Sequence, residues 1–363
     1  MLLDHQTGVE GAAEQAIAPL SFMRYLCFAT VAFFVVLGGV LAFNITVDPL
    51  WYGNGNQVTG YNYGFDERLS KTLRFLKAPA KYDCVFFGSS RGTVLDVSRI
   101  QNAHCFNYAI PGAILSEMSA FARYVRAKAP PPKEVVIGID NFEFGTVDMP
   151  NETPSYVSGL AEPPSRLSRY LSLDVAAMSV KALLGDGEAN RLYSSSFVNE
   201  PPSPDGSYDP KKDLLLPPTA LPYGEVMLHG YGPFVPAKAA ALDVFRKIFP
   251  ASTIVGYATP VSSYQIVREL RNGHLDAYLD AIYDASLRFD RFIDFSIPSY
   301  VTENPLNTRD GSHFSAEVNA EIAEALGGAT PRFGILVTGL GREAYKAAFL
   351  AAAAAFDRKL VSK

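Results

Sequence analysis

Two short segments hold residue types that could carry out nucleophilic chemistry together. Gly88-Ser89-Ser90-Arg91-Gly92 directly follows the apolar run Cys84-Val85-Phe86-Phe87, and Asp310-Gly311-Ser312-His313 lies near the end of the chain. A serine hydroxyl is a weak nucleophile until a base removes its proton. A histidine can serve as that base when a carboxylate fixes its tautomer and stabilises the imidazolium. Asp310 stands three residues before His313, close enough on a turn to reach its imidazole. A serine on a turn at the end of a strand also lies near free backbone N–H groups, which can hold a developing oxyanion. Ser89 competes with Ser90 as nucleophile, but only Ser90 occupies the central position of a Gly-x-Ser-x-Gly pattern. Arg91 either meets an anionic group on a substrate or caps the turn.

The elements around these segments alternate. Residues 84–87 are apolar on both faces, as a central parallel strand should be. Further strands fit residues 105–108, 135–139, 253–257 and 291–295. Helical patterns fit 67–76, 116–128, 167–184, 237–248 and 275–289, and Phe314, Val318 and Ile322 mark a closing helix. Strands alternating with helices imply a parallel sheet covered on both faces, an α/β fold. The layout is a tail at 1–22, an apolar segment at 23–47, a linker and lead-in helix at 48–80, a catalytic α/β unit at 81–330 and a C-terminal helix at 331–363. Prolines cluster at 150, 154, 163 and 164 and again between 201 and 236. Residues 146–235 therefore read as a large insertion over the core, serving as a lid, a docking surface or a solvated excursion.

From residue 25 to residue 47 there is no charged side chain. At about 1.5 Å per residue, about 20 residues cross the hydrocarbon layer. The run lies between Arg24 and Asp48, and the positive charge on its N-terminal flank favours a cytoplasmic N-terminus, with the rest of the chain from about Asp48 outside the cytoplasm. A cleaved signal peptide or a buried core helix are the alternatives. The alanine-rich stretch at 347–356 is too short to span. Outside the cytoplasm Cys84 and Cys105 could pair as a disulfide if their strands are neighbours. Otherwise they are two small buried apolar residues.

The 363 residues are 48% hydrophobic and 19% charged, with a formal net charge of −5. With no long basic run, nucleic acid binding has little electrostatic support. The three cysteines form no CxxC pair and the five histidines are scattered, which argues against a metal site. The chemistry outlined above needs no cofactor.

The serine after the first core strand and the acid three residues before the histidine resemble the SGNH, or GDSL-like, hydrolase family. Gly88-Ser89-Ser90 looks like its Gly-Asp-Ser block, with Ser90 as nucleophile. Asn107-Tyr108-Ala109-Ile110-Pro111-Gly112 looks like the second block, whose glycine N–H helps form the oxyanion hole. Asp310 and His313 match the final DxxH block. The third block departs from the pattern: where the family has Gly-x-Asn-Asp, this chain has Gly138-Ile139-Asp140-Asn141. An ionised aspartate cannot donate to an oxyanion, so either Asn141 takes over or the hole relies on the N–H groups of Ser90 and Gly112. The resemblance implies a flavodoxin-like three-layer αβα sandwich preceded by one transmembrane helix. The anchored branch it is most similar to includes the D-alanyl transfer protein of lipoteichoic acid synthesis and the alginate O-acetylation proteins. It implies a single-pass protein of the cytoplasmic membrane with its catalytic domain in the periplasm. That protein would transfer an acyl group, commonly acetyl, to an envelope polysaccharide beside a membrane-bound O-acyltransferase. An esterase that deacylates the same polymers, or a non-catalytic envelope scaffold, are the other readings.

Overall fold

Strands that are apolar on both faces need cover on both sides, and the chain supplies it. A computed structural model describes residues 19–63, 66–101, 103–146, 166–185, 192–193, 198, 204–215 and 233–362. Residues 1–18 of the expected tail and most of the proline-rich insertion lie outside the described residues. The strands are β1 (Asn62–Tyr63), β2 (Cys84–Phe87), β3 (Cys105–Asn107), β4 (Glu134–Ile139), β5 (Leu192–Tyr193), β6 (Thr253–Ala258), β7 (Arg291–Asp294) and β8 (Ile335–Leu336). Six of them form a sheet in the order β3-β2-β4-β6-β7-β8. All neighbours are parallel except β8, which runs antiparallel to β7. The other two, β1 and β5, pair separately.

Side chains alternate across the sheet with period two. Val85, Phe87, Val135, Ile137 and Phe292 enter one apolar cluster. Cys84, Phe86, Val136, Val255 and Ile293 enter the other. The first cluster is closed by Phe121 and Val125 of α3 (Leu115–Lys128) and, further along the chain, by Phe245, Leu279, Ile282 and Phe349. The second is closed by Val318 and Ile322 of the helix Ala316–Leu326. Strand β2 pairs with β3 on one side and β4 on the other. The chain thus reverses its direction of travel across the sheet at β2, which opens a crevice at the carboxyl end of that strand.

The lead-in region is part of this framework. Asp66 caps α2 (Glu67–Lys77) by accepting from Leu69 N. From α2, the fully buried Lys71 donates to Ala109 O at 2.5 Å. Arg68 bonds both carboxylate oxygens of Glu117, at 2.6 and 3.1 Å. Both contacts grip the segment after β3.

Helix α1 (Pro19–Val47) precedes everything described so far. Its Ser21–Val47 stretch of 27 residues contains a window with a mean hydropathy of 2.5, none of it buried, so the helix is long and apolar enough to cross a membrane. The expected helix at 167–184 divides into α4 (Arg166–Tyr170) and α5 (Leu173–Leu184), with Ser172 capping the second by accepting from Val175 N. Elements that the sequence pattern does not mark include a helix at Ser263–Arg271 and the short strands β1, β5 and β8.

Cys84 and Cys105 are direct partners in the β2–β3 register and form a disulfide. This settles the open alternative for these residues: they are bonded, with Cys84 fully buried and Cys105 partly so. Their separation is 21 residues, and closing a loop of that order stabilises a fold by about 3 kcal/mol through the unfolded chain. A C84A/C105A variant should lose about that much unfolding free energy in a denaturant titration, and a reductant should produce the same loss in the parent.

Candidate active site

Ser90 begins a single 3₁₀ turn, Ser90–Gly92, directly after β2. The adjacent serines take different roles. Ser89 is buried, and its Oγ accepts from Arg91 N at 3.2 Å, which caps the turn. Ser90 remains partly exposed and its Oγ lies 2.8 Å from His313 Nε2. The competition between the two serines is therefore decided by which one the turn leaves pointing outward. Gly92 is required for contact reasons, because an added Cβ would sit 2.5 Å from the Phe86 ring.

His313 Nδ1 lies 2.7 Å from Asp310 Oδ2. The other carboxylate oxygen accepts from the backbone N–H groups of His313 at 2.8 Å and Ser312 at 3.0 Å. Burial works against the Asp310 charge, but the His313 hydrogen bonds and charge, together with the Ser312 N–H, outweigh it. They hold the carboxyl well below the ordinary carboxylate range. Asp310 therefore stays ionised through mildly acidic pH and keeps Nδ1 as the protonated nitrogen, which leaves Nε2 to face Ser90 as acceptor.

The turn that carries Asp310 and His313 is braced from behind. Gly311 has φ +87, a left-handed conformation suited to glycine. An added Cβ would meet Gln265 Nε2 and Tyr208 Oη, each at 2.7 Å. Those two side chains converge on Asp213 Oδ2, with Tyr208 donating at 2.5 Å and Gln265 at 3.1 Å. Ser262 N donates to Gly311 O at 2.7 Å. Tyr208 and Asp213 belong to the insertion, so part of that segment supports the acid–base turn. No local pattern marks Tyr208, Asp213 or Gln265 as site residues, because their meeting point exists only after folding.

The carboxyl ends of β3, β2 and β4 are adjacent, which brings the loops of Gly112, Ser90 and Asn141 together. Ile110 N donates to Gly88 O at 2.9 Å and joins the first two of these loops. Gly112 adopts φ +70. Arg91 corrects an expectation. It does not extend toward a substrate: it is 4% exposed and its guanidinium turns inward. Its Nη1 lies 3.5 Å from Asp140 Oδ1 and donates to Asn141 Oδ1 at 3.0 Å. The physical reason is the aspartate of the third block. A carboxylate buried at that depth needs a counter-ion, and Arg91 supplies it while Thr259 Oγ1 donates at 2.8 Å. Asp140 thus has a structural role, as the buried partner of Arg91 and Thr259. Asn141 accepts through its side-chain oxygen from Arg91, which fixes the orientation of the amide.

Glu143, two residues on, accepts from Leu115 N at 2.8 Å and so ties the β4 loop to the start of α3. Burial, with the nearby Asp140 carboxylate second, pushes its carboxyl up to about 8.

No protein-family model matches this chain, and no curated protein matches it in sequence.

Two outcomes follow. Arg91→Ala leaves Asp140 buried without its counter-ion and should lower unfolding free energy by about 3–5 kcal/mol. Adding Asp140→Asn should recover part of that loss in the same denaturant assay. For Glu143 the carboxyl is protonated in both states below about pH 4.5, the ordinary value. Above that the unfolded chain ionises while the fold retains its proton, so stability should decline as pH rises to about 8. Glu143→Gln keeps the acceptor for Leu115 N and should flatten this part of the stability–pH curve.

Proposed function

We propose that this chain is a membrane-anchored, extracytoplasmic serine enzyme of the SGNH type that transfers acyl groups, most commonly acetyl, through an acyl-serine intermediate. The observation that carries the proposal is the continuous hydrogen-bonded chain Ser90 Oγ–His313 Nε2 and His313 Nδ1–Asp310 Oδ2, at 2.8 and 2.7 Å. The five parallel strands taken in chain order lie as 2-1-3-4-5. This order is the one that characterises flavodoxin-like sheets, and it supports the three-layer αβα sandwich implied by the SGNH resemblance. The Cys84–Cys105 disulfide supports an oxidising compartment. With α1 as a spanning helix, that compartment would be the periplasm.

In the proposed first step Ser90 Oγ attacks the acyl carbonyl carbon and its proton passes to His313 Nε2. The carbonyl oxygen takes the negative charge, held by the N–H groups of Ser90 and Gly112 and by the Asn141 amide. When the carbonyl reforms, the donor's leaving oxygen departs with the proton from His313. In the second step a hydroxyl of an envelope polysaccharide gives its proton to His313 and attacks the acyl-serine. Collapse of that intermediate forms the new ester and returns the proton to Ser90. Asp310 stabilises the imidazolium in both steps. Water in place of the sugar hydroxyl would make the same site an esterase. A complete hydrogen-bonded triad favours catalysis over a purely scaffolding role. A membrane-bound O-acyltransferase beside the anchor would be a suitable acyl donor.

Ser90→Ala should abolish labelling by a fluorophosphonate and reduce hydrolysis of a nitrophenyl acetate ester by about 10⁴-fold or more. His313→Ala should do nearly the same, and the double variant should lose little beyond either single one. Hydrolysis that persists at parental rate in Ser90→Ala would refute the assignment. Product analysis with an acceptor oligosaccharide present distinguishes transfer from hydrolysis.

A further inference from the structure

The end of α1 is not bare. Asn44, fully buried, donates from Nδ2 to Tyr170 O at 2.8 Å and to Ser172 O at 2.9 Å. Its Oδ1 accepts from Ser179 Oγ at 3.1 Å. Asp48, just past α1, accepts from the Tyr170 hydroxyl and from Gly53 N at 2.7 Å. Helix α5 thus uses the face carrying Val175, Ser179 and Ala182 to hold the last turns of α1 and the loop that follows. On that loop Thr59 Oγ1 donates to Ala182 O at 2.8 Å.

The opposite side of α5 is apolar and exposed. Leu173, Ala177, Val180 and Leu184 follow at intervals of four, three and four residues, which places them in one stripe along the helix. Leu173 and Leu184 are each 76% exposed, and Leu171 continues the patch at 45%. A stripe of this kind marks a surface that meets something other than water. The height of α5 indicates what it meets. The uncharged run of α1 from residue 25 to residue 47 rises about 35 Å, against about 30 Å of hydrocarbon. The excess leaves the last turn, with Asn44, at the headgroup layer. Consistent with this, α1 is exposed continuously from residue 21 to residue 36, and protein begins to cover it at Leu37 and Val40.

We infer that α5 lies in the interfacial layer of the bilayer with its Leu173–Ala177–Val180–Leu184 stripe among the upper acyl carbons. An amphipathic helix in this position typically sinks its apolar face about 5–10 Å. The outer domain is then held at two places, α1 and α5, in one orientation above the membrane. The inference rests on the reading of α1 as a spanning anchor.

The test uses the full chain in phospholipid vesicles, in a Cys27→Ala background, since Cys84 and Cys105 are already bonded. Single nitroxide labels at Leu173, Val180 and Leu184 are compared with Val35 in α1 as a lipid reference and exposed Leu287 as an aqueous reference. Power saturation should show the three α5 labels, like Val35, relaxed more by oxygen than by a nickel chelate, and Leu287 the reverse. If Val35 behaves as lipid-facing while the α5 labels follow Leu287, the inference fails and the anchor stands. If Val35 is itself open to nickel, the anchor reading fails and takes the inference with it. Labels on α5 shielded from both agents would mean that protein covers the stripe, which also overturns it.

Discussion

The hydrogen bond between Ser90 and His313 joins residues 223 positions apart in the chain, and much of the architecture serves to make that contact. Neither residue can do chemistry alone: the alcohol needs a base, and the base needs a carboxylate that fixes its tautomer. Asp310 satisfies the second need locally, within one turn. The first need can be met only if the loop after β2 and the loop before the last core helix arrive at the same point. A parallel sheet with a switch at β2 does this, because the loops at the carboxyl ends of its strands share one edge.

Around that contact, buried polar and charged side chains act as fasteners. Arg91 neutralises Asp140 and at the same time grips Asn141, so a departure from the expected third block becomes a link between the β2 and β4 loops. Glu143 joins the β4 loop to α3, and Lys71 of α2 holds the segment between β3 and α3. Each of these costs desolvation, and each returns it through hydrogen bonds to backbone or side chains of a neighbouring loop. The consequence is a set of loops positioned by one another rather than by the sheet alone. The insertion adds a further brace, with Tyr208, Asp213 and Gln265 packed behind Gly311.

The end of α1 follows the same logic. An unpaired polar side chain such as Asn44 near the end of an apolar helix would be costly. Three hydrogen bonds to α4 and α5 satisfy it and dock the insertion against α1. Among its described residues, the insertion therefore reaches the end of α1 and the back of the Asp310–His313 turn.

What could be read from the chain alone was what depends on neighbours in sequence. The apolar run of α1, the strand–turn placement of Ser90, the three-residue offset of Asp310 from His313 and the alternation of strands with helices are all local patterns set by helix rise, strand period and turn reach. The helix at Ser263–Arg271 is short and mostly polar, so few apolar positions mark it, and β8 is a two-residue strand with no period to detect. The tertiary structure alone decided the questions that depend on pairing between distant segments. It placed Cys84 opposite Cys105, turned Ser89 inward and Ser90 outward, buried Arg91 against Asp140, and set Tyr208 and Asp213 behind Gly311. Sequence spacing governs where a side chain can point along its own element, whereas the partner it meets there is chosen by how the elements pack.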